Sequence, residues 1–131
     1  MSHNKSRRDF IRTGAVATAG FFIVPRHVLG GPGYIAPSDR LNIAGIGAGG
    51  KGASDLSEFA KSPKVNIVSF CDVDEAQAAG SVKRFPKAKF YYDFREMLEK
   101  EKNSIDAVSV STPDHTHAIA TIAAMEMGKH V

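Results

Sequence analysis

The sequence predicts an α/β fold in which helices cover both faces of a doubly wound parallel sheet. Short apolar runs alternate with segments of helical periodicity along residues 41–131. A glycine-rich turn, residues 45–50 (GIGAGG), joins the first apolar run to the first helical segment. Strands separated by helices of about 10–15 residues are typical of βαβ units, and therefore of a parallel sheet with right-handed crossovers.

The four predicted strands are short and rich in β-branched or aromatic side chains, which favours strand over helix. They lie at residues 41–46, 65–71, 90–92 and 105–111. The last three residues, 129–131, have the character of a fifth strand.

The helical segments are predicted at residues 50–62, after Asp74, after Asp93 and at residues 114–127. Asp74 and Asp93 are suited to accept hydrogen bonds from the first free N–H groups of a helix. Glu96 follows Asp93 by three residues, which is a variant of the capping box, and Gly128 is placed to end the last helix.

Periodicity also predicts which face of two helices is buried. In the second helix the inward residues are predicted to be Ala76, Ala79, Val82 and Phe85. In the last helix they are predicted to be Ala118, Ile119, Ile122 and Ala123.

The first 38 residues are predicted to be an export signal and a linker that precede a domain at residues 39–131. The pattern S-R-R-D-F-I-R at residues 6–12 leads into an uncharged, mostly apolar run at residues 13–24. A charged start followed by such a run is typical of a secretory signal, and the paired arginines indicate the twin-arginine type. An uncleaved membrane anchor is the alternative, because no A-x-A cleavage site follows. We therefore expect the twin-arginine translocase as a partner and a periplasmic or otherwise exported location in a bacterium.

Charge and cysteine content exclude several classes of function for the domain. Residues 1–38 hold five Lys/Arg and one acid, whereas residues 39–131 hold twelve Lys/Arg and thirteen acids, so the basic character belongs to the first segment. A nucleic-acid partner is not expected, since it would require a basic cluster in the domain. Cys71 is the single cysteine, which rules out an internal disulfide, and we expect it to fill the core rather than act as a nucleophile.

The glycine-rich turn is the strongest functional signal, because G-x-G-x-x-G between a strand and a helix is the fingerprint of dinucleotide binding. Gly45 allows the tight turn, Gly47 lets the backbone approach a pyrophosphate, and Gly50 is assigned the close helix–strand packing. The candidate cofactor-binding residues in this turn are Gly45, Ile46, Gly47, Gly49 and Gly50. The phosphates would lie on the free N–H groups at the helix start. Lys51 is expected to be solvated, although it could reach a phosphate.

Asp72 directly follows the second strand, 22 residues after Gly50, where an acid binds the adenosine ribose. A carboxylate at this place repels a 2′-phosphate, so NAD is favoured over NADP as the cofactor. Asp74 competes for the ribose role, but its position favours a helix cap.

Residues 112–117 (TPDHTH) follow the fourth strand and should face the same crevice as the glycine turn, since ligands bind at the carboxyl ends of parallel strands. Thr112 and His117 are the candidates for the nicotinamide end. Asp114 is expected to cap the last helix, and His115 to be a surface residue. Two histidines two residues apart do not share a helix face, so no metal site is predicted.

These motifs together resemble the glucose–fructose oxidoreductase / inositol dehydrogenase (Gfo/Idh/MocA) family, whose nucleotide-binding domain is a Rossmann fold. The resemblance covers residues 39–131 and is most specific at residues 111–118 (STPDHTHA) and 127–131 (MGKHV). It implies that the three fingerprint glycines bind the pyrophosphate, that Asp72 binds the ribose, and that Thr112 and His117 lie near the nicotinamide ribose. Members transfer hydride to or from sugars, inositols and related polyols, and some exported relatives hydrolyse glycosides by transient oxidation with bound NAD.

The resemblance also implies that catalytic residues lie beyond Val131, in a Glu-Lys-Pro-type motif and a substrate domain. We therefore expect a C-terminally truncated sequence, with a sugar or polyol substrate and a homo-oligomer as features of an intact oxidoreductase. The fragment alone is expected to be inactive and to bind NAD weakly. A non-catalytic nucleotide-binding domain is the alternative from another class.

Overall fold

The computed structural model describes residues 30, 31 and 33–131, so the predicted export signal lies largely outside the described residues. A short 3-10 helix (Pro37–Asp39) precedes the sheet. The strands are β1 (Leu41–Ile46), β2 (Val65–Cys71), β3 (Lys89–Tyr91) and β4 (Ala107–Val110). The helices are α1 (Gly50–Phe59), α2 (Glu75–Arg84), α3 (Phe94–Lys100) and α4 (Asp114–Glu126). None of the helices in the described residues is long and apolar enough to cross a membrane.

The four strands form one parallel sheet in the order β3-β2-β1-β4, which confirms the predicted α/β doubly wound architecture. The chain returns beside β4 at its end, where Val108 N donates to His130 O at 2.7 Å and His130 N donates to Asp106 O at 3.2 Å. These bonds form one isolated parallel bridge between Ala107 and His130, at the outer side of β4 where the fifth strand was predicted.

Each face of the sheet has its own apolar core. α1 and α2 cover one face, where Leu56 and Phe70 are fully buried, and each such burial contributes about 2 kcal/mol. α3 and α4 cover the other face, where Met97 and Leu98 from α3 are buried together with Ala120 and Ala124 from α4. A register shift between Ile43 and Ala44 accommodates one extra residue of β2 in the pairing of β1 with β2.

Two of the predicted helix caps are confirmed. The carboxylate of Asp74 accepts from Ala76 N at 2.9 Å and from Gln77 N at 3.3 Å, and that of Asp93 accepts from Arg95 N at 2.8 Å. Glu96 does not complete a capping box, because its carboxylate pairs with Lys100 Nζ at 2.6 Å.

The predicted cap at Asp114 is wrong. Pro113 is the N-cap residue before α4 and forms no side-chain cap, and Asp114 is already the first residue of the helix. Proline has no side-chain acceptor, so Pro113 cannot cap the first N–H groups of α4. The hydroxyl and the N–H of Thr116 instead both donate to the Pro113 carbonyl, each at 2.9 Å.

The predicted inward faces of α2 and α4 are wrong in large part: six of the eight residues are exposed, and only Phe85 and Ala123 are partly buried against the cores. α2 buries Ala78 and Ser81, and α4 buries Ala120 and Ala124. Ile119 and Ile122 are each 55% exposed, so the larger apolar side chains of α4 point away from the sheet. The reason is that small residues allow these helices to approach the sheet and the loops closely, which periodicity of apolar residues does not reveal.

The outer strand β3 is attached to the loop after α3 through one buried carboxylate, Glu101. This carboxylate accepts from Lys89 Nζ at 2.6 Å and from Tyr91 Oη at 2.7 Å, while Ser104 Oγ donates to its other oxygen at 2.8 Å. The bond from Lys89, followed by that from Tyr91, lowers the pKa of Glu101 to about 2. Burial, together with the bond to Glu101, raises the pKa of Tyr91 to about 12.

Candidate functional site

The glycine loop, residues 45–50, leaves the carboxyl end of β1 and turns into α1, where three backbone segments approach closely. Gly47 has a φ of +83°, and a Cβ built there would lie 2.9 Å from Ser111 O. A Cβ at Gly49 would lie 2.8 Å from Gln77 Cβ of α2, and one at Gly45 would lie 2.9 Å from the Leu56 methyl groups. Side chains are therefore excluded by neighbouring atoms at Gly45, Gly47 and Gly49, and at Gly47 by the backbone conformation as well.

Gly52, rather than Gly50, provides the close packing of helix against strand. A Cβ at Gly52 would lie 1.7 Å from Gly47 O, whereas a Cβ at Gly50 would meet no atom within 4 Å. The packing role that the fingerprint assigned to Gly50 is thus corrected, since Gly52 is the residue buried in α1. Gly50 has a φ of +47° and faces open space, which leaves its backbone accessible to a ligand.

The start of α1 carries free hydrogen-bond donors. Its N-cap residue is Gly49, which has no side chain with which to cap the helix. The first N–H groups of an α-helix lack partners inside the helix, and the helix dipole favours an anion beside them. A pyrophosphate is an anion of the kind that fits this place, and the open space at Gly50 gives it room.

Asp72 lies beside the glycine loop at the end of β2. Its Oδ2 accepts from Ala48 N and from Gly49 N, each at 2.9 Å, and its Oδ1 accepts from Asp74 N at 3.0 Å. A carboxylate has about four lone-pair positions, so these three bonds leave one for a ribose hydroxyl. The predicted ribose ligand therefore also holds the loop that would bind the phosphates.

Ile46 and Cys71 support the loop from the core. The side chain of Ile46 is buried, and its carbonyl accepts from Ser111 N at 2.8 Å. The Cys71 carbonyl accepts from Gly47 N at 2.9 Å. Burial raises the pKa of the Cys71 thiol to about 12, so the thiol is not ionised at neutral pH and serves as core filler, as expected.

The second wall of the crevice follows β4. Thr112 lies against Gly47, because its methyl group would be 3.1 Å from a Cβ built there. Its Oγ1 is buried without a hydrogen-bond partner among the described residues, which leaves a polar atom beside the loop for a ligand to satisfy. The ring of His117 is hydrogen-bonded to the Thr112 carbonyl, so the structure brings these two predicted residues together. His115 is exposed.

Asp55, which the sequence did not single out, joins the two walls. Asp55 of α1 pairs with Lys51 and also accepts from Ser111 Oγ at 2.9 Å. The bond from Lys51, followed by that from Ser111, lowers the pKa of Asp55. Lys51 is thus paired within its own helix, and the spacing of four residues was the available signal.

Ser81 is a second residue that the sequence analysis missed. It is buried in α2, and its hydroxyl donates to Ala48 O at 2.6 Å. A serine inside a helix gives no sequence signal for such a contact, because its partner is 33 residues away in the chain.

Comparison with known proteins identifies the family. The sequence profile described as "Oxidoreductase family, NAD-binding Rossmann fold" (GFO_IDH_MocA) matches residues 41–131. The chain belongs to this family. The Gfo/Idh/MocA resemblance inferred from the motifs is thereby confirmed.

Solved structures of family oxidoreductases share the fold. The scyllo-inositol dehydrogenase of Lactobacillus casei, with bound NAD(H) and scyllo-inositol, is 25% identical with a TM-score of 0.63, over 70% of this chain and 27% of that one. The myo-inositol 2-dehydrogenase of Lactobacillus plantarum is 27% identical with a TM-score of 0.62, over 69% and 26% of the two chains.

Curated relatives match nearly the whole chain. A glycosyl hydrolase family 109 protein of Shewanella baltica is 30% identical over 98% of this chain and 33% of its own length. An alpha-N-acetylgalactosaminidase of Shewanella oneidensis is also 30% identical, with the same coverage. The chain therefore spans about a third of the length of these relatives.

Proposed function

We propose that residues 41–131 bind NAD and that the protein transfers hydride to or from a sugar, an inositol or a related polyol. The observation that carries this proposal is the uncapped start of α1 beside the open space at Gly50, with the Asp72 carboxylate next to it. The N–H groups of Gly50 and Lys51 would bind the pyrophosphate, and Asp72 a ribose hydroxyl. Thr112 and His117 would lie at the nicotinamide end, and the nicotinamide supplies the hydride chemistry when bound.

Asp72 is the basis for preferring NAD over NADP. Three backbone N–H groups hold its carboxylate at the loop, so a 2′-phosphate would meet a fixed negative charge. We expect Asp72→Ala to weaken NAD binding about ten-fold or more, because a charge-assisted hydrogen bond and the loop contacts are lost together. The ratio of NADP to NAD affinity should rise, as measured by titrating both nucleotides into the protein that the gene encodes.

Asp74→Ala is the matched control for this experiment. Asp74 caps α2 without contacting the glycine loop, so its loss should cost about 1 kcal/mol of stability and leave the nucleotide preference unchanged. An unchanged preference in the Asp72 variant would remove Asp72 from the discriminating role.

Glycoside hydrolysis is the second candidate function. The relatives named as glycosyl hydrolase family 109 and alpha-N-acetylgalactosaminidase are each 30% identical to this chain over 98% of its length. A chromogenic α-N-acetylgalactosaminide separates the two functions. Release of the chromophore without net formation of NADH supports hydrolysis, whereas NADH formation from free sugars or inositols supports the dehydrogenase.

Export by the twin-arginine translocase is part of the same proposal, and it rests on the S-R-R-D-F-I-R pattern of residues 6–12. Replacing both arginines by lysine keeps the charge but removes the signal. We expect the wild-type protein in the periplasm and the double variant in the cytoplasm. Equal distribution of the two proteins would contradict the proposal.

A further inference from the structure

One peptide unit of the glycine loop is held at both of its polar ends. The carbonyl of Ala48 accepts from Ser81 Oγ at 2.6 Å, and the N–H of Gly49 donates to Asp72 Oδ2 at 2.9 Å. These two groups belong to the same peptide plane, between Ala48 and Gly49. Rotating that plane would break both hydrogen bonds at once.

The surroundings make these bonds necessary. Ala48 is fully buried, and Ser81 is 1% exposed, so water cannot replace a lost partner at this carbonyl. A buried carbonyl without a partner is strongly disfavoured. Gly49 is also confined sterically, since Gln77 of α2 lies against the place where a Cβ would be.

The peptide plane controls the part of the loop that the proposed function uses. Gly49 is the N-cap of α1, and its carbonyl accepts from Ala53 N at 3.3 Å. The direction of the Ala48–Gly49 peptide therefore sets how the following N–H groups of α1 are presented. Asp72 and Ser81 both follow β2 in the chain, so one segment supplies both contacts to the loop.

We propose that Ser81 is a positioning residue for the dinucleotide. It fixes the Ala48–Gly49 peptide so that the start of α1 is preorganised for a pyrophosphate before the cofactor arrives. This inference rests on the proposed NAD function. Ser81 acts through the loop and need not touch the cofactor itself.

Two quantities test this inference. The first is the rate of amide hydrogen exchange in the full chain, measured without nucleotide. The second is the NAD affinity of the protein that the gene encodes. We expect Ser81→Ala to accelerate exchange at Ala48 and Gly49 about ten-fold, with the amides of β1 unchanged, and to weaken NAD binding about five-fold.

Ser69→Ala is the matched control, because Ser69 is also a fully buried serine on a neighbouring element but its Oγ has no partner among the described residues. This variant should leave exchange at the loop and NAD affinity unchanged. Loss of a buried hydroxyl as such is thereby separated from loss of the contact to Ala48.

Unchanged exchange at Ala48 and Gly49 in Ser81→Ala would overturn the inference. So would an equal acceleration across β1, since it would indicate a general packing effect. If wild-type protein binds no NAD, the proposed function fails, and the exchange data still decide whether Ser81 fixes the loop.

Discussion

From the end of β1 to the start of α1, four glycines lie so close to their neighbours that no side chain fits there, whereas on α4 large apolar side chains lie in solvent. A Cβ would collide with a neighbour at Gly45, Gly47, Gly49 and Gly52. On α4, by contrast, Ile119, Ile122 and Met125 are each more than half exposed. The four glycine positions cannot accept a side chain without movement of their neighbours, whereas the exposed positions of α4 can accept many different side chains. Sensitivity to substitution should therefore differ sharply between the two.

The largest effect is expected at Gly52. A methyl group there would lie 1.7 Å from the Gly47 carbonyl oxygen, so α1 and the glycine loop must separate to accept it. We expect Gly52→Ala to lower the free energy of unfolding by about 3 kcal/mol or more and to abolish measurable NAD binding. Urea denaturation and NAD titration measure the two quantities.

Gly80→Ala provides the control for this prediction. Gly80 also lies inside a helix, but a Cβ there would meet no atom within 4 Å. It should stabilise the protein by about 0.5–1 kcal/mol, because alanine favours the helix and restricts the unfolded chain. Equal effects of the two substitutions would show that the close approach at Gly52 is not maintained in solution.

The glycine loop shows what the sequence could and could not predict. The strand, the turn and the helix were all predicted correctly, because G-x-G-x-x-G and the flanking apolar runs are local features. The residue that carries the packing was not, because counting along the motif selects Gly50, whereas the rotation of α1 places Gly52 against Gly47. Ser81 was not predicted for a related reason, since its hydrogen bond to the Ala48 carbonyl depends on how α2 packs against the loop.

An intermediate effect is expected at Glu101, which attaches β3 to the loop after α3. Glu101→Gln removes the ion pair with Lys89 in a largely buried place, and we expect a loss of about 2 kcal/mol at neutral pH. The pKa of Glu101 is lowered from 4.5 to about 2 in the folded protein, so its contribution is complete above pH 4.5 and is lost as pH falls toward 2.

Urea unfolding at about pH 7 and about pH 3 measures this dependence, and Glu101→Gln should reduce the stability lost between the two. Glu96→Gln is the control, because its pair with Lys100 is exposed on both sides and should contribute at most about 0.5 kcal/mol. If wild type and the Glu101 variant lost the same stability between the two pH values, the pH dependence of stability would come from other carboxylates.

α4 shows a different limit of sequence-based prediction. Its apolar residues occur at almost every position from Ala118 to Met125, so helical periodicity fits more than one face. In the structure the small residues Ala120 and Ala124 face the sheet, which allows α4 to lie close to it, and the two isoleucines are exposed. The identity and extent of the helix were predictable, but its rotation depends on the tertiary contacts.

The smallest effect is therefore expected on the outer face of α4. Ile122→Ala removes a side chain that is 55% exposed, and alanine is the better helix former, so stability should change by at most about 0.5 kcal/mol. Ile105→Ala makes the same chemical change where the side chain is 2% exposed, and it should cost about 2–5 kcal/mol. Urea denaturation of both variants compares the stability lost on the outer face of α4 with the stability lost in the core. A cost at Ile122 as large as that at Ile105 would mean that this face is covered in solution, and the contrast between the two regions would then not hold.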